Sequence, residues 1–192
     1  MLVFKHRDAG LCLSFVVMVA LAMSSSAIAF ADSTTGTITI TSGTLMETGA
    51  AAPALRLTTN GIAQTAPYAL AITTTDATGS GSGWNLTITS TQFKTGATPT
   101  RTLSTAASSV TSVTAVCTGG QICTTMPQNA VTYPVAVPAG NTAPTAVKFY
   151  NASAASGIGT FDISTTIQIT VPANTYSGTY TSTITLAYVS GP

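Results

Sequence analysis

Histidine and charge are scarce in this sequence. Of its 192 residues only His6 is a histidine, and six basic and five acidic side chains make up 6% of the chain. Proteins that bind nucleic acids or anionic membranes use clustered Lys and Arg, so neither is expected as a main partner. Cysteine and tryptophan are also rare, with three and one residues respectively. The chain is therefore poorly equipped for acid-base or metal chemistry.

The first 31 residues have the pattern of a cleaved export signal. Basic residues 5–7 precede an apolar run over residues 9–23, which is too short to cross a bilayer comfortably. Residues 29–31 read Ala-Phe-Ala, and this small-x-small pattern predicts cleavage after Ala31, with Ala29 as a second choice and an uncleaved anchor as the alternative. No later stretch is apolar enough to span a membrane, so we expect a secreted chain at the cell surface or cell wall, without an integral membrane segment.

Cleavage after Ala31 would leave 161 residues and no histidine. Such a chain lacks the general base of Ser/His/Asp and Cys/His mechanisms and the commonest transition-metal ligand. A glycosidase-like carboxylate pair is the remaining catalytic alternative, but no two carboxylates are neighbours in sequence. We therefore predict no enzymatic activity, no cofactor and no metal site. The remaining ionic residues balance to zero net charge: Asp32, Glu47, Asp76, Asp162, Arg56, Lys94, Arg101 and Lys148.

Cys117 and Cys123 are separated by five residues that include Gly119 and Gly120. A pair of cysteines in an exported chain is most simply a disulfide, here across a tight Gly-Gly turn. Closing so short a loop contributes about 2 kcal/mol by the chain-entropy estimate. A redox pair is one alternative, but two intervening residues are typical of that function. A metal site is the other, and it would need a third soft ligand.

Alternating apolar residues predict an all-β chain. Trp84, Leu86 and Ile88 point to one face of a strand and the residues between them to the other, so Trp84 is interpreted as a core anchor. Threonine is β-branched and favours pleated strands, which argues against a disordered mucin-like stalk. About nine short strands and no helical period indicate a single antiparallel β-sandwich domain over residues 32–192, of immunoglobulin-like or Greek-key type. Besides the Trp84 strand, the pattern predicts strands over residues 37–41, 55–57, 70–72, 110–116, 131–137, 147–149, 161–171 and 180–188.

Two short motifs lie in predicted strands. The first is Trp84-Asn85-Leu86, which follows a Gly-rich loop that contains Asp76. The second lies at the C-terminus and consists of Tyr180, Ile184, Thr185, Leu186, Tyr188 and Pro192. Together they resemble the motifs of the WxL-domain cell-surface proteins of Gram-positive bacteria, except that Leu186 replaces the family's second Trp and Tyr188 replaces a Leu. The resemblance implies a β-sandwich that attaches non-covalently to the cell wall and binds peptidoglycan or another wall glycan.

A glycan-binding surface is expected at exposed aromatic and amide side chains. Aromatic rings stack on the C–H faces of sugars, and amides bond the sugar edges. The candidates are Tyr68, Tyr150, Asn151, Asn174 and Tyr176.

Two other functions remain open. One is a structural subunit of a surface layer or pilus, in which strand edges such as residues 131–137 pair with copies of the chain or with other surface proteins. The other is an ice- or mineral-face binder, suggested by Thr-Ile-Thr triplets that lack a regular spacing.

Overall fold

A computed structural model describes residues 38–48, 54–119, 123 and 125–192. The predicted signal peptide, residues 1–31, lies outside these ranges. The described residues form strands and no helix, as the composition predicts. The strands are β1 (Leu45–Thr48), β2 (Gln64–Asp76), β3 (Trp84–Thr91), β4 (Lys94–Thr95), β5 (Ser108–Cys117), β6 (Val135–Ala136), β7 (Ala139–Gly140), β8 (Val147–Ala152), β9 (Gly159–Val171), β10 (Tyr180–Thr181) and β11 (Ile184–Ser190).

The first sheet has the strand order β1-β2-β9-β5-β6 and is antiparallel throughout. Its centre is the pair β2 and β9, two strands of 13 residues that pair along their whole length from Gln64↔Val171 to Asp76↔Gly159. The register of β5 against β9 shifts between Val110 and Ser112, which confirms the irregular strand predicted from uneven valine spacing. Such a bulge increases the local twist of the sheet.

The second sheet is built around β3. One edge of β3 pairs with β11, and the other pairs with β8 and then with the short β7. A separate two-stranded pair joins β10 to β4 through Tyr180↔Thr95 and Thr181↔Lys94. The chain therefore brings its C-terminal strand back beside the Trp84 strand.

Both sheets bury their apolar faces in one common core, so the fold is the predicted β-sandwich. Trp84, Phe149 and Phe161 are its largest fully buried side chains. In β9 buried residues alternate with more exposed ones from Phe161 to Ile169, because successive side chains of a strand point to opposite faces. The polar alternate positions, many of them threonines, form the outer surface.

Three sequence-based strand predictions are wrong or incomplete. Residues 38–41 and 54–60 form no strand, and Ile38 and Ile40 are 84% and 86% exposed instead of buried. These segments are too short for alternation alone to identify a strand, which needs a partner to satisfy its backbone groups. Of residues 131–137 only β6 pairs, at the sheet edge, since Pro134 and Pro138 cannot donate backbone hydrogen bonds. The described residues hold eleven strands rather than nine.

Candidate functional site

The structure places the two sequence motifs on neighbouring strands. β3 and β11 pair antiparallel, so that Ser190 lies opposite Trp84, Tyr188 opposite Leu86, and Leu186 opposite Ile88. The Asn85 side chain also donates a 2.7 Å hydrogen bond to the carbonyl of Gly191. Two motifs about 100 residues apart in sequence thus form one structural unit.

Trp84 is the centre of this unit and is completely buried, with 0% exposure. Its indole Nε1 donates a 2.9 Å hydrogen bond to the carbonyl of Gly157. The Tyr188 ring meets it edge to face at 5.1 Å between centroids, and the tilted Tyr150 ring lies at 5.8 Å. Both distances lie within the range favoured by aromatic pairs. With its polar atom satisfied and no ring face exposed, Trp84 has the geometry of a core anchor and not of a ligand platform.

The tyrosines of the core have shifted acidities. Burial raises the pKa of Tyr68 to about 12. Burial, with a smaller effect of nearby Tyr133, raises the pKa of Tyr150 to about 12. Burial and then the neighbouring Asp76 carboxylate raise the pKa of Tyr188. These phenols remain neutral at physiological pH because a buried phenolate would be poorly solvated.

Raising the pH above about 10 should therefore destabilise the fold, because unfolded tyrosine titrates near that pH. The folded chain holds the protons of Tyr68 and Tyr150 until about pH 12, so between these values it binds more protons than the unfolded chain. Stability then decreases as pH rises. Denaturant unfolding followed by circular dichroism between about pH 8 and about pH 12 measures the effect. A transition midpoint that stays constant across this window would contradict the prediction.

Three of the predicted glycan contacts are not at the surface. Tyr68 and Tyr150 are 8% and 4% exposed, so the expectation that they are exposed is wrong. Both belong to strands that pack on the core, where an inward aromatic ring is more stable than a solvated one. Asn151 is buried as well, and its side-chain oxygen accepts a 2.9 Å hydrogen bond from the backbone of Ala130. Its amide group therefore supports a loop instead of facing a ligand.

Tyr176 and Asn174 are the two predicted contacts that are exposed. Tyr176 is 61% exposed, and the Arg101 guanidinium carbon lies 3.9 Å from its ring centroid. A cation over a ring face is attracted by the negative face of the aromatic π-system. The contact fixes the orientation of both side chains at the surface. Arg101 was missed by sequence reasoning because 75 positions separate it from Tyr176 and no local pattern links them.

Tyr176 also stands between two clefts. The larger, here called the sheet groove, has a volume of about 1380 Å³ and opens between the two sheets, beside the Ile184 end of β11 and away from Trp84. The smaller cleft has a volume of about 430 Å³ and includes Arg101. Residues 176–179 line both of them. The sheet groove is lined mainly by apolar side chains, among them Leu55, Leu57, Tyr68, Leu70, Phe93, Ile184 and Leu186.

The remaining motif and cysteine residues have mainly structural surroundings. The Tyr180 hydroxyl donates a 3.0 Å hydrogen bond to the carbonyl of Tyr176 and so braces the exposed loop. Thr185 and Pro192 are exposed. Cys117 and Cys123 form the predicted disulfide, with their Cα atoms 6.0 Å apart, while part of the predicted Gly-Gly turn lies outside the described residues. Within the described part of the chain, no cluster of three or more His, Cys, Asp or Glu side chains suits a metal, and no helix is long and apolar enough to cross a membrane.

An all-β sandwich with its W-x-L strand paired to a C-terminal motif strand defines a surface domain of the wall-binding type. A family model described as "WxL domain surface cell wall-binding" matches residues 25–192. The chain therefore belongs to the WxL family of cell-wall-binding surface domains, and its place is the cell surface or cell wall. Comparison with curated proteins and with solved structures found no match.

Proposed function

We propose that this protein attaches non-covalently to peptidoglycan or another cell-wall glycan and has no enzymatic activity. The observation that carries the proposal is the exposed pair Tyr176 and Arg101, presented between two clefts by a chain of a wall-binding family. The pair combines an aromatic ring with a fixed cation, whereas the family's hallmark tryptophan is buried here.

The two side chains suit complementary parts of a wall glycan. Arg101 covers one face of the Tyr176 ring, which leaves the other face for the C–H face of a sugar ring. The guanidinium has five N–H donors in a planar fork, which match a carboxylate of a sugar substituent or a peptide stem. Asn174 is exposed two residues away and offers both a donor and an acceptor to hydroxyl groups.

A non-enzymatic role is supported by how two of the carboxylates are used. Asp76 accepts hydrogen bonds of 3.0 Å and 2.7 Å from the backbone and hydroxyl of Thr78, which shape the loop before β3. Asp162 accepts a 2.9 Å hydrogen bond from the Thr73 hydroxyl across the pair β2 and β9. Both groups stabilise the sandwich, and neither lines the two clefts beside Tyr176.

Co-sedimentation of the secreted chain with purified peptidoglycan tests the proposal. Tyr176→Ala should weaken saturable binding about tenfold, because it removes both the ring face and the support of Arg101. Tyr176→Phe keeps the ring and should bind within about threefold of the unchanged chain, since the hydroxyl is not part of the stacking surface. Arg101→Gln should have an intermediate effect that diminishes at high salt.

Val189→Ala is the matched surface control, because Val189 is exposed on β11 and lines neither cleft. It should bind like the unchanged chain. Absence of pull-down by the folded chain would refute glycan binding as such. Pull-down that survives Tyr176→Ala unchanged would move the glycan contact to another surface.

A further inference from the structure

The sheet groove follows an uncovered strand edge. β1 pairs only with the last four residues of β2, from Thr73 to Asp76. Among the described residues, no strand pairs with the outer edge of β2 from Gln64 to Ile72. That free edge borders the groove, into which Tyr68 and Leu70 point from β2 and Leu186 from β11. The sandwich thus has an unpaired backbone ladder beside an apolar slot on one side.

This combination suits one more extended segment. A strand added to the free edge would satisfy the backbone donors and acceptors of β2 and would insert every second side chain into the slot. The occupant must therefore alternate apolar and small polar residues. It should also carry no charge on the apolar face, because a charge buried there would lack a partner.

Residues 37–41, here called the Thr-Ile segment, have this pattern. They read Thr-Ile-Thr-Ile-Thr and carry no charged side chain. Ile38 and Ile40 are 84% and 86% exposed, and residues 38–41 belong to no strand. Two isoleucines at strand spacing are costly to leave in water and would be favourably buried in an apolar slot. The predicted cleavage after Ala31 would place this segment close to a new N-terminus.

The segment lacks the reach to fill the groove of its own chain. Gly43 donates a 2.8 Å backbone hydrogen bond to Ala77, just beyond the end of β2 that is remote from the groove. The five residues from Ile38 to Gly43 span at most about 18 Å. From Ala77 back to Leu70 the chain extends about 23 Å at the rise of a β-strand. An occupant with this sequence must therefore come from another molecule.

We infer that the Thr-Ile segment of one copy adds as a strand to the free edge of β2 in a second copy, with Ile38 and Ile40 in the sheet groove. Each copy has one segment and one groove, so the contact is heterologous and joins molecules head to tail in rings or filaments. This inference does not depend on glycan binding. It gives the surface-subunit alternative a specific interface, which is β2 rather than the predicted edge at residues 131–137.

Sedimentation velocity of the secreted chain over a concentration series tests the inference. Assemblies that grow with concentration are expected. Ile38→Asp combined with Ile40→Asp should weaken the association at least about 100-fold, because two buried isoleucines are replaced by charges. The substituted residues are exposed, so the fold of each copy should not depend on them.

Thr39→Asp combined with Thr41→Asp is the matched control, because it adds the same charge to the opposite face of the added strand. This variant should associate within about threefold of the unchanged chain. A chain that stays monomeric at every concentration would overturn the inference. Assemblies that persist unchanged in the Ile38→Asp, Ile40→Asp variant would overturn it as well.

A cross-linking experiment identifies the groove directly. Copies with Ile38→Cys are mixed under mild oxidation with copies that carry Leu57→Cys, since Leu57 is partly exposed and lines the groove. A disulfide-linked dimer of the two different copies is expected. Val189→Cys lies outside the groove and serves as the control partner. Equal cross-linking to both partners, or none to Leu57→Cys, would contradict the proposed contact.

Discussion

Trp84→Ala should lower the free energy of unfolding by about 4 to 5 kcal/mol, the largest effect expected of any single substitution in this chain. The change removes a fully buried indole, its hydrogen bond to Gly157 and its contacts with the rings of Tyr150 and Tyr188. The cavity lies between both sheets, where neighbouring strands cannot collapse without breaking their ladders. Urea denaturation followed by circular dichroism measures the effect, since the substitution removes the only tryptophan as a fluorescence probe.

Trp84→Phe separates the packing of Trp84 from any contact with glycan. It should cost about 2 kcal/mol, because an aromatic ring still fills most of the space and the carbonyl of Gly157 loses its donor. Its folded form should sediment with peptidoglycan like the unchanged chain, because the indole has no exposed face. A variant that folds with full stability but no longer binds the wall would show that Trp84 contacts the glycan.

Gly157→Ala should destabilise the protein by about 3 kcal/mol, through backbone strain and overpacking together. Gly157 has a φ of +71°, and an added Cβ would lie 2.6 Å from the Cβ of Ala152 and 2.8 Å from the Nε1 of Trp84. Those atoms belong to the packed core, so the clash displaces the indole from its hydrogen bond. Thermal and urea unfolding of the variant measure the loss.

Gly79→Ala is the control that isolates the backbone contribution. Gly79 has a similar φ of +65°, but an added Cβ there meets nothing within 4 Å. It should cost only about 1 kcal/mol, which is the typical penalty of the left-handed conformation for alanine. If both variants lost the same stability, close packing against Trp84 would not be the reason for glycine at position 157.

Together these variants distinguish the two ends of the sandwich. Changes around Trp84 should act on stability and leave glycan affinity intact in molecules that remain folded. Tyr176→Ala should do the reverse, because the exposed ring contributes little to the core. This separation follows from the geometry of β11, whose Tyr188 contacts Trp84 while its Leu186 lines the groove.

The sequence by itself determined the properties that depend on local periodicity and composition. Alternation around Trp84 and from Phe161 to Val171 was sufficient to identify β3 and β9, because a strand with one buried face must repeat every second residue. The spacing of Cys117 and Cys123 was sufficient for the disulfide. The two motifs were sufficient for the family, since their order and spacing are read directly from the chain.

Only the tertiary structure decided which side chains are buried and which meet. The alternation of Tyr68 and Tyr150 did not reveal that their outer neighbours in space are other core strands, and so both were wrongly expected at the surface. The contact of Arg101 with Tyr176 and the groove between β2 and β11 arise from residues far apart in sequence. The physical reason is that burial and recognition depend on how sheets pack against one another, and a period along one strand contains no information about the strand that faces it.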